Sequence, residues 1–455
     1  MFRSHRNPYY SRRKRRFPGI WQLLAMVIAG LILLELLTWA LLSFTGYGQT
    51  VEDYDKNAEV VYQLKFLNQN EEQFTGLDSA GQLLAQKNGA QGYTLLPQES
   101  SDFWQINEQG FRESAPLPLE KPEQEKRIFL VGGSTAFGQG SEGNAKTIAS
   151  FLETRLQERL AQQERSPEKY RPRILPIRGT RRIEALQLPP KILPGKYNVI
   201  NAAVPGYASG NVLAQLALTI FPYEPDAIIL LGGYDDLTLP DEQDIREIPR
   251  LDYLLNHPAR YFWMAVTQPV QDFFTNTNIF QTFRYVIFPE KLSVTQKTLA
   301  VAPENEPLAD YFPQDEEQLA VRLNRYQKNI QQLTQLCAGA NIPLVVALQP
   351  EITGVTPEKQ QQEEQEIMEQ LSEEYIQRVQ QGFTRLGEVN DQLGSAFPNN
   401  IKTLNYYSLY NDLSAVAFRD PIHLTEAGNK ALAERFYNAI TRLPDLQVES
   451  VTPER

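Results

Sequence analysis

From residue 128 onward, short runs of apolar residues alternate with longer stretches in which apolar residues recur every third or fourth position. Apolar runs without polar alternation are typical of strands buried on both faces, whereas the longer spacing indicates amphipathic helices. We therefore predict strands at 128–131, 199–204, 227–231 and 344–348. We predict helices at 147–160, 212–221, 319–336 and 424–443.

This order of elements predicts an α/β domain in which helices cover both faces of a mostly parallel sheet, giving three layers, α/β/α. Reactive groups in such sheets gather outside the carboxyl ends of the strands. Ser134, Gly206 and Asp235 each follow a predicted strand by a few residues. We therefore expect the three residues to lie along the same edge of the sheet.

The predicted domain occupies 127–443 and contains a long insertion at about 237–317. The insertion is rich in aromatic residues, which indicates helical cover packed on the core, with a substrate cleft or a membrane contact as alternatives. Residues 357–388 are predicted to form one acidic, glutamine-rich helix. We also predict that a region at 45–126, which would lie next to the membrane and end in a linker, precedes the domain, and that a tail at 444–455 follows it.

The N-terminus has the pattern of a membrane anchor. Residues 1–18 form a basic tail with seven Lys and Arg residues and no acid, and residues 19–44 are almost entirely apolar. A helix of that length exceeds the ~30 Å hydrocarbon core of a bilayer. A cleaved signal peptide is the alternative, but its apolar region would span only about 7–15 residues. We predict one transmembrane helix at 19–44, with the N-terminus cytoplasmic and the domain extracytoplasmic.

Charge and cysteine content exclude several classes of function. The net charge is −11, and removing the seven positive charges of the tail leaves −18 for the rest of the chain, which would repel nucleic acid. Cys337 is the only cysteine, so an intrachain disulfide and a thiolate metal cluster are excluded, and we expect it in the core. The adjacent acids Asp235 and Asp236 are a weak cation signal. We predict no metal site and no cofactor.

Two short motifs suggest acyl chemistry. Ser134 follows two glycines on a tight turn after a predicted strand, and Asp420 precedes His423 by three residues. Together they offer a nucleophile, an orienting acid and a base. Of the three histidines in the chain, only His423 has an aspartate at this spacing. Ser134 and His423 are far apart in sequence, so the fold must bring them together.

The chain resembles the SGNH (GDSL-like) hydrolase superfamily from about residue 127 to 443. The resemblance rests on four short blocks in a fixed order, of which none is specific alone. The blocks are Gly132-Gly133-Ser134, Asn201 to Gly206, Gly233-Tyr234-Asp235-Asp236, and Asp420 to His423. The family usually has Gly-Asp-Ser in the first block and Gly-x-Asn-Asp in the third. Residues 107–112 also look like the lead-in of membrane-anchored members. The resemblance implies an SGNH-hydrolase-like, flavodoxin-like fold.

The resemblance also implies roles for residues. Ser134 would be the nucleophile, His423 the base and Asp420 its partner. The backbone N–H groups of Ser134 and Gly206 would face the oxyanion, and the third donor, an asparagine side chain in the family, would be Asp235.

A carboxylate at position 235 has no proton to donate, and it would repel an oxyanion when ionised. Three explanations stay open. Asp235 is protonated, through burial and the charge of Asp236. Alternatively Asn211 supplies the missing donor, or the site is weakened or used for something other than fast hydrolysis.

The function expected from this pattern is a membrane-anchored, extracytoplasmic serine esterase that acts on an O-acyl glycan or a lipid ester. Two alternatives remain. An O-acyltransferase would share the acyl-enzyme step and pass the acyl group to an envelope polysaccharide. A non-catalytic protein would retain the SGNH fold for binding, with Asp235 as the sign of a compromised site. Partners would be the acyl ester and the membrane, with no nucleic acid.

Overall fold

The computed structural model describes residues 59–62, 83–88, 91–101, 103–177, 179–239 and 308–452. All of them lie in one unit made of Glu59–Tyr261 and Ser293–Arg455. The predicted basic tail, the predicted membrane span at 19–44 and most of the insertion at 237–317 lie outside the described residues. Among the helices within the described ranges, none is long and apolar enough to cross a bilayer.

The described strands form two sheets. The first is antiparallel, with the order β1-β2-β3, and the second is parallel throughout, with the order β5-β4-β6-β7-β8. The strands are β1 (Glu59–Tyr62), β2 (Leu83–Asn88), β3 (Gly92–Leu95), β4 (Glu125–Gly132), β5 (Lys196–Asn201), β6 (Ala227–Gly232), β7 (Leu344–Leu348) and β8 (Ile401–Asn405). The four strands predicted from apolar runs are β4 to β7.

Helices connect the parallel strands. They are α1 (Ser134–Phe137), α2 (Ile148–Arg165), α3 (Gly179–Gln187), α4 (Ser209–Gln215), α5 (Tyr234–Thr238), α6 (Glu316–Gly339), α7 (Gln362–Glu369), α8 (Glu373–Ala396) and α9 (Glu426–Ile440). Side-chain caps start several of them, since Thr147, Asp315, Ser372 and Thr425 each accept a hydrogen bond from a backbone N–H of the first turn.

The five parallel strands have the order 2-1-3-4-5 of flavodoxin-like sheets. With right-handed crossovers, the connection from β4 to β5 lies on one face and the later connections lie on the other. The contacts between helices agree with this arrangement. The helix of the first connection, α2, contacts α9, whereas the helices of the later connections contact one another, α6 with α4 and α8. The direction of winding reverses between β4 and β6, which is the place where such sheets form a crevice for ligands.

Three elements differ from the sequence-based prediction. The edge strand β8 was not predicted, because its residues, Ile-Lys-Thr-Leu-Asn, run from buried to exposed and lack an apolar run. The single helix predicted at 357–388 is wrong, since α7 and α8 are separate and Ser372 caps the second of them. The helix predicted at 212–221 starts earlier, at Ser209, and continues after Gln215 as a π-helical turn, Leu216–Ile220.

The hydrophobic core extends beyond the boundary predicted at residue 127. Ile106, Phe111 and Leu117, from the region predicted to be juxtamembrane and linker, belong to the same buried cluster as the sheet. The lead-in is therefore part of the folded domain.

Cys337 is buried on α6, in the core position expected for it, and burial raises the pKa of its thiol to about 12.

Candidate active site

A tight turn after β4 presents Ser134. Gly132 has φ of 142°, a conformation that side chains disfavour, and a Cβ atom there would overlap the Leu231 carbonyl of the neighbouring strand. Ser134 is the first residue of α1, a single turn that ends at Gly138 in the left-handed conformation. The glycines thus allow the chain to reverse at the carboxyl end of the sheet, where the Ser134 side chain is buried.

The loop before α9 holds the acid and the imidazole in contact. Asp420 Oδ2 lies 2.6 Å from His423 Nδ1, and both side chains are buried. The other carboxylate oxygen, Oδ1, accepts hydrogen bonds from the backbone N–H groups of Ile422 at 3.0 Å and His423 at 2.8 Å. One carboxylate therefore shapes the loop and orients the ring, and Nδ1–H donating to it directs Nε2 away from the acid.

Hydrogen bonds join this loop to the serine turn. The hydroxyl of Thr135 donates to the Ile422 carbonyl at 3.1 Å, which connects the residue after Ser134 to the residue before His423. The same hydroxyl accepts from Gln349 Nε2 at 2.9 Å. Gln349 directly follows β7 and is buried. The fold therefore places the two distant motifs side by side at the carboxyl end of the sheet.

Arg112 holds the far end of α1. Its guanidinium donates to the carbonyls of Phe137 at 2.9 Å and Gly138 at 2.7 Å. It also donates to the Phe103 carbonyl at 2.6 Å and to Asn144 Oδ1 at 3.1 Å. Burial lowers the pKa of Arg112 to about 9. Arg112 thus ties the lead-in to the end of the short helix and adds hydrogen bonds to the carbonyls there.

The turn that carries Gly206 is braced from the small sheet. Gly206 has φ of 79°. The Tyr93 hydroxyl, from β3, donates to the Pro205 carbonyl at 2.8 Å, and the Tyr207 hydroxyl donates back to the Tyr93 carbonyl. The two tyrosine rings pack edge to face with centroids 5.1 Å apart. These contacts fix the backbone on which the predicted N–H donor of Gly206 lies.

Asp235 lies against the serine turn. A Cβ atom built on Gly133 would be 3.1 Å from Asp235 Cγ and nearer still to Oδ2. The side chain is buried, and burial together with the charge of Asp236 raises the pKa of Asp235 to about 7. A carboxyl group in this environment retains its proton at pH values at which an exposed aspartate is ionised. The protonated form has an O–H that can donate a hydrogen bond.

The side chains of Asp236 and Asn211, in contrast to that of Asp235, form hydrogen bonds that support the start of α4. Asp236 accepts from the Ser209 hydroxyl at 2.5 Å and from its backbone N–H, at the start of α4. Asn211 accepts from the Ala208 N–H and donates to the Gln91 carbonyl at 3.0 Å, so its amide supports the same helix start. Within the described residues there is also no group of three or more His, Cys, Asp or Glu side chains suited to a metal ion.

A second buried acid, Glu351, lies behind the loop. It accepts from the Tyr375 hydroxyl at 3.1 Å and from the Thr353 backbone N–H at 2.8 Å. Tyr375 in turn lies 3.2 Å, oxygen to oxygen, from Tyr234, which directly precedes Asp235. Burial raises the pKa of Glu351 to about 7, and the charge of Asp420 contributes to the rise.

Sequence reasoning missed several residues that shape the site, namely Tyr93, Arg112, Thr135, Gln349 and Glu351. A signal existed for Gln349, because it is the first polar residue after the predicted strand 344–348, the position that identified the other strand-end residues. Arg112 lies in the lead-in, residues 107–112, but no local sequence signal indicates that it contacts α1. Tyr93 has no sequence signal, because its partners are more than a hundred residues away.

No protein-family model matches the chain, and no curated protein matches it. Among solved structures it is similar to a lipolytic protein of the G-D-S-L family from Desulfitobacterium hafniense DCB-2, at 10% identity and a TM-score of 0.32, over 70% of this chain and 99% of that one. An acetyl-xylooligosaccharide esterase from Geobacillus is similar at 11% identity and a TM-score of 0.34, over 69% and 94%.

A lipase/acylhydrolase from Enterococcus faecalis is similar at 12% identity and a TM-score of 0.32, over 70% of this chain and 95% of that one. At these values the similarity assigns neither a reaction nor a residue role to this chain. The roles of Ser134, Asp420, His423, Gly206 and Asp235 therefore stay predictions, and their support is the geometry described above.

Proposed function

We propose that the chain is a serine esterase that cleaves an acyl ester through an acyl-enzyme on Ser134. The observation that carries the proposal is the contact of 2.6 Å between His423 Nδ1 and Asp420 Oδ2, on a loop hydrogen-bonded to the serine turn. An imidazole held in this tautomer accepts the serine proton through Nε2, and the carboxylate stabilises the imidazolium that forms.

In the proposed reaction, the Ser134 oxygen attacks the ester carbonyl carbon as His423 takes the hydroxyl proton. The tetrahedral oxyanion is stabilised by the backbone N–H groups of Ser134 and Gly206 and by protonated Asp235. His423 then returns its proton to the departing alkoxide, which leaves as an alcohol. Water, activated by the same imidazole, hydrolyses the acyl-enzyme and releases a carboxylic acid.

One observation favours the O-acyltransferase as a second candidate. Ser134 and His423 are each only 1% exposed. A site shielded from water protects an acyl-enzyme from hydrolysis, and favours its transfer to an acceptor hydroxyl that enters in place of water. The predicted anchor at 19–44 would place either enzyme at a membrane with its domain outside the cytoplasm, where envelope glycans and lipid esters are the proposed substrates.

Labelling with a fluorophosphonate tests the nucleophile. The full-length chain in detergent should be labelled at Ser134, and Ser134→Ala should not be labelled. Ser150→Ala is a matched control, because Ser150 is a half-buried serine on α2. If Ser134→Ala folds and still reacts, or if the native chain does not react at all, the esterase proposal is wrong and a binding function is favoured.

Turnover of a short-chain aryl ester separates the two candidate reactions. Release of the aryl alcohol should not depend on an acceptor if water completes the reaction. An oligosaccharide that accelerates release and becomes acylated, as measured by mass spectrometry, would identify the transferase. The Ser134→Ala variant is the background for both measurements.

A further inference from the structure

The connection between α2 and β5 has a charge opposite to that of the whole protein. Residues 165–191 contain eight Lys and Arg residues and two Glu, a net charge of +6, in a chain whose net charge is −11. The connection includes α3, and it takes no part in the candidate active site. Its composition therefore has no explanation in the proposed catalysis.

The same connection exposes large apolar side chains. Seven of these are exposed within the described residues, and four lie here: Ile174 at 63%, Ile177 at 71%, Ile183 at 60% and Leu186 at 42%. A fifth, Val451, pairs with Ile174 in an isolated bridge. Single exposed apolar residues are ordinary, but a concentration of them in one place marks a surface that contacts another phase or molecule.

Hydrogen bonds hold this connection in a defined shape. Val451 donates its N–H to the Arg173 carbonyl at 2.7 Å and accepts from the Leu175 N–H at 3.0 Å. Arg171 donates to the Leu186 carbonyl at 2.9 Å, which ties the chain to the end of α3. Arg173 and Arg181 are exposed, and each lies within two positions of an exposed isoleucine in the sequence, while Glu168 and Glu184 are the two acids of the connection. We name Arg173, Ile174, Ile177, Arg181, Ile183 and Leu186 the basic apolar patch.

We propose that the basic apolar patch docks on the surface of an anionic lipid bilayer. Apolar side chains that enter the boundary between head groups and acyl chains, flanked by arginines that meet anionic head groups, form the pattern of interfacial membrane binding. The positive patch on a negative protein supplies the charge complementarity, and it also sets the orientation, because the remaining surface is repelled by the same lipid.

The patch lies at the opposite end of the sheet from Ser134. The serine follows the carboxyl end of β4, and α2 runs back so that residues 165–191 lead into the amino end of β5. A domain docked through the patch therefore turns its candidate active site toward water. If the esterase proposal is also correct, this orientation favours an acyl ester in the aqueous phase, such as an acylated glycan, over an ester buried in the same bilayer.

Site-specific fluorescence in the full-length chain tests the docking. Ile177→Cys carries an environment-sensitive dye, and Val321→Cys on α6 is the matched control, at an exposed apolar position outside the patch. Cys337 is buried and does not compete for the label. Each protein is reconstituted into vesicles of phosphatidylcholine alone or mixed with phosphatidylglycerol, so that any anchor inserts equally in both.

The dye at position 177 should shift to shorter wavelength and be quenched by brominated lipid in the anionic vesicles only. The dye at position 321 should not respond. Adding Arg173→Glu and Arg181→Glu should weaken the docking equilibrium by about fivefold or more for each arginine, while thermal unfolding is unchanged.

Three results would overturn the proposal. They are equal emission at position 177 in the two kinds of vesicle, an undiminished response after charge reversal, or a shift in lipid-free detergent that grows with protein concentration. The last result would instead identify the patch as a contact between copies of this chain. None of these measurements uses the esterase reaction, so a failure here and a failure of the proposed function are separate outcomes.

Discussion

The Asp235 carboxyl fills the space in which a side chain at Gly133 would lie, since a Cβ atom there would be 3.1 Å from Asp235 Cγ. These are two positions at which the chain departs from the family pattern it resembles, with glycine in place of aspartate at 133 and aspartate in place of asparagine at 235. Because the two positions are in contact, the departures are coupled. This part of the site therefore holds one carboxyl group, and that group follows the carboxyl end of β6, whereas in the family pattern it follows the strand that corresponds to β4.

Substitutions at the two positions, made singly and together, test the coupling. Gly133→Asp alone would overlap Asp235 and place two carboxyls together, so we expect a loss of stability of about 1–3 kcal/mol and of esterase activity. Gly133→Asp combined with Asp235→Asn restores the family pattern and removes the second carboxyl but not the overlap, so it should recover the part of each loss that comes from charge. Thermal unfolding and aryl ester turnover measure the effects, and a double variant no better than the single one would show that the positions are independent.

A pH profile tests the proposed donor. The pKa of Asp235 is raised to about 7, so its proton is present below that pH and is lost above it. Turnover of the native enzyme should therefore fall as the pH rises through about 7, whereas Asp235→Asn keeps an N–H donor at every pH. By pH 9 the variant should exceed the native enzyme by about a hundredfold.

The two enzymes should differ only slightly below pH 6, where Asp235 is protonated. An Asp235→Asn protein that is folded but inactive at all pH values would indicate that the carboxylate has an essential role of its own. Parallel pH profiles for the two proteins would instead exclude Asp235 as the group that titrates.

Asp420 is predicted to act on the imidazole and on the loop separately. Asp420→Asn retains an oxygen for the N–H groups of Ile422 and His423, but it presents an amide to Nδ1 and reverses the tautomer. We expect turnover to fall by about 10⁴-fold with little change in thermal unfolding. Asp420→Ala should lose turnover and lower the unfolding temperature as well. An active Asp420→Asn enzyme would contradict the proposed role.

Arg112 is predicted to position Ser134 through α1. Lysine is a compact charge that cannot reach the carbonyls of Phe103, Phe137 and Gly138 together, so Arg112→Lys should shift the serine turn. We expect kcat to fall by about 10–100-fold with a smaller change in KM. Arg155→Lys on α2 is the matched control. Equal effects of the two substitutions on kcat would indicate a general loss of stability.

The local pattern of apolar and polar residues was sufficient to predict much of the fold. The strands β4 to β7 were predictable because burial on both faces leaves an uninterrupted apolar run, and α6 and α9 because they bury one stripe. The edge strand β8 lacked that run. The break between α7 and α8 was missed because the apolar spacing continues across Ser372, although its hydroxyl starts a new helix.

The sequence alone determined which chemistry is available here: a serine on a glycine turn, an aspartate three residues before a histidine, and an aspartate where an asparagine was expected. Tertiary structure decided which residues touch. It placed Gly133 against Asp235, committed the amide of Asn211 to the start of α4, and brought Arg112 to α1. The physical reason is that periodicity and capping depend on residues a few positions apart, whereas contacts between strand ends depend on the order of strands in the sheet.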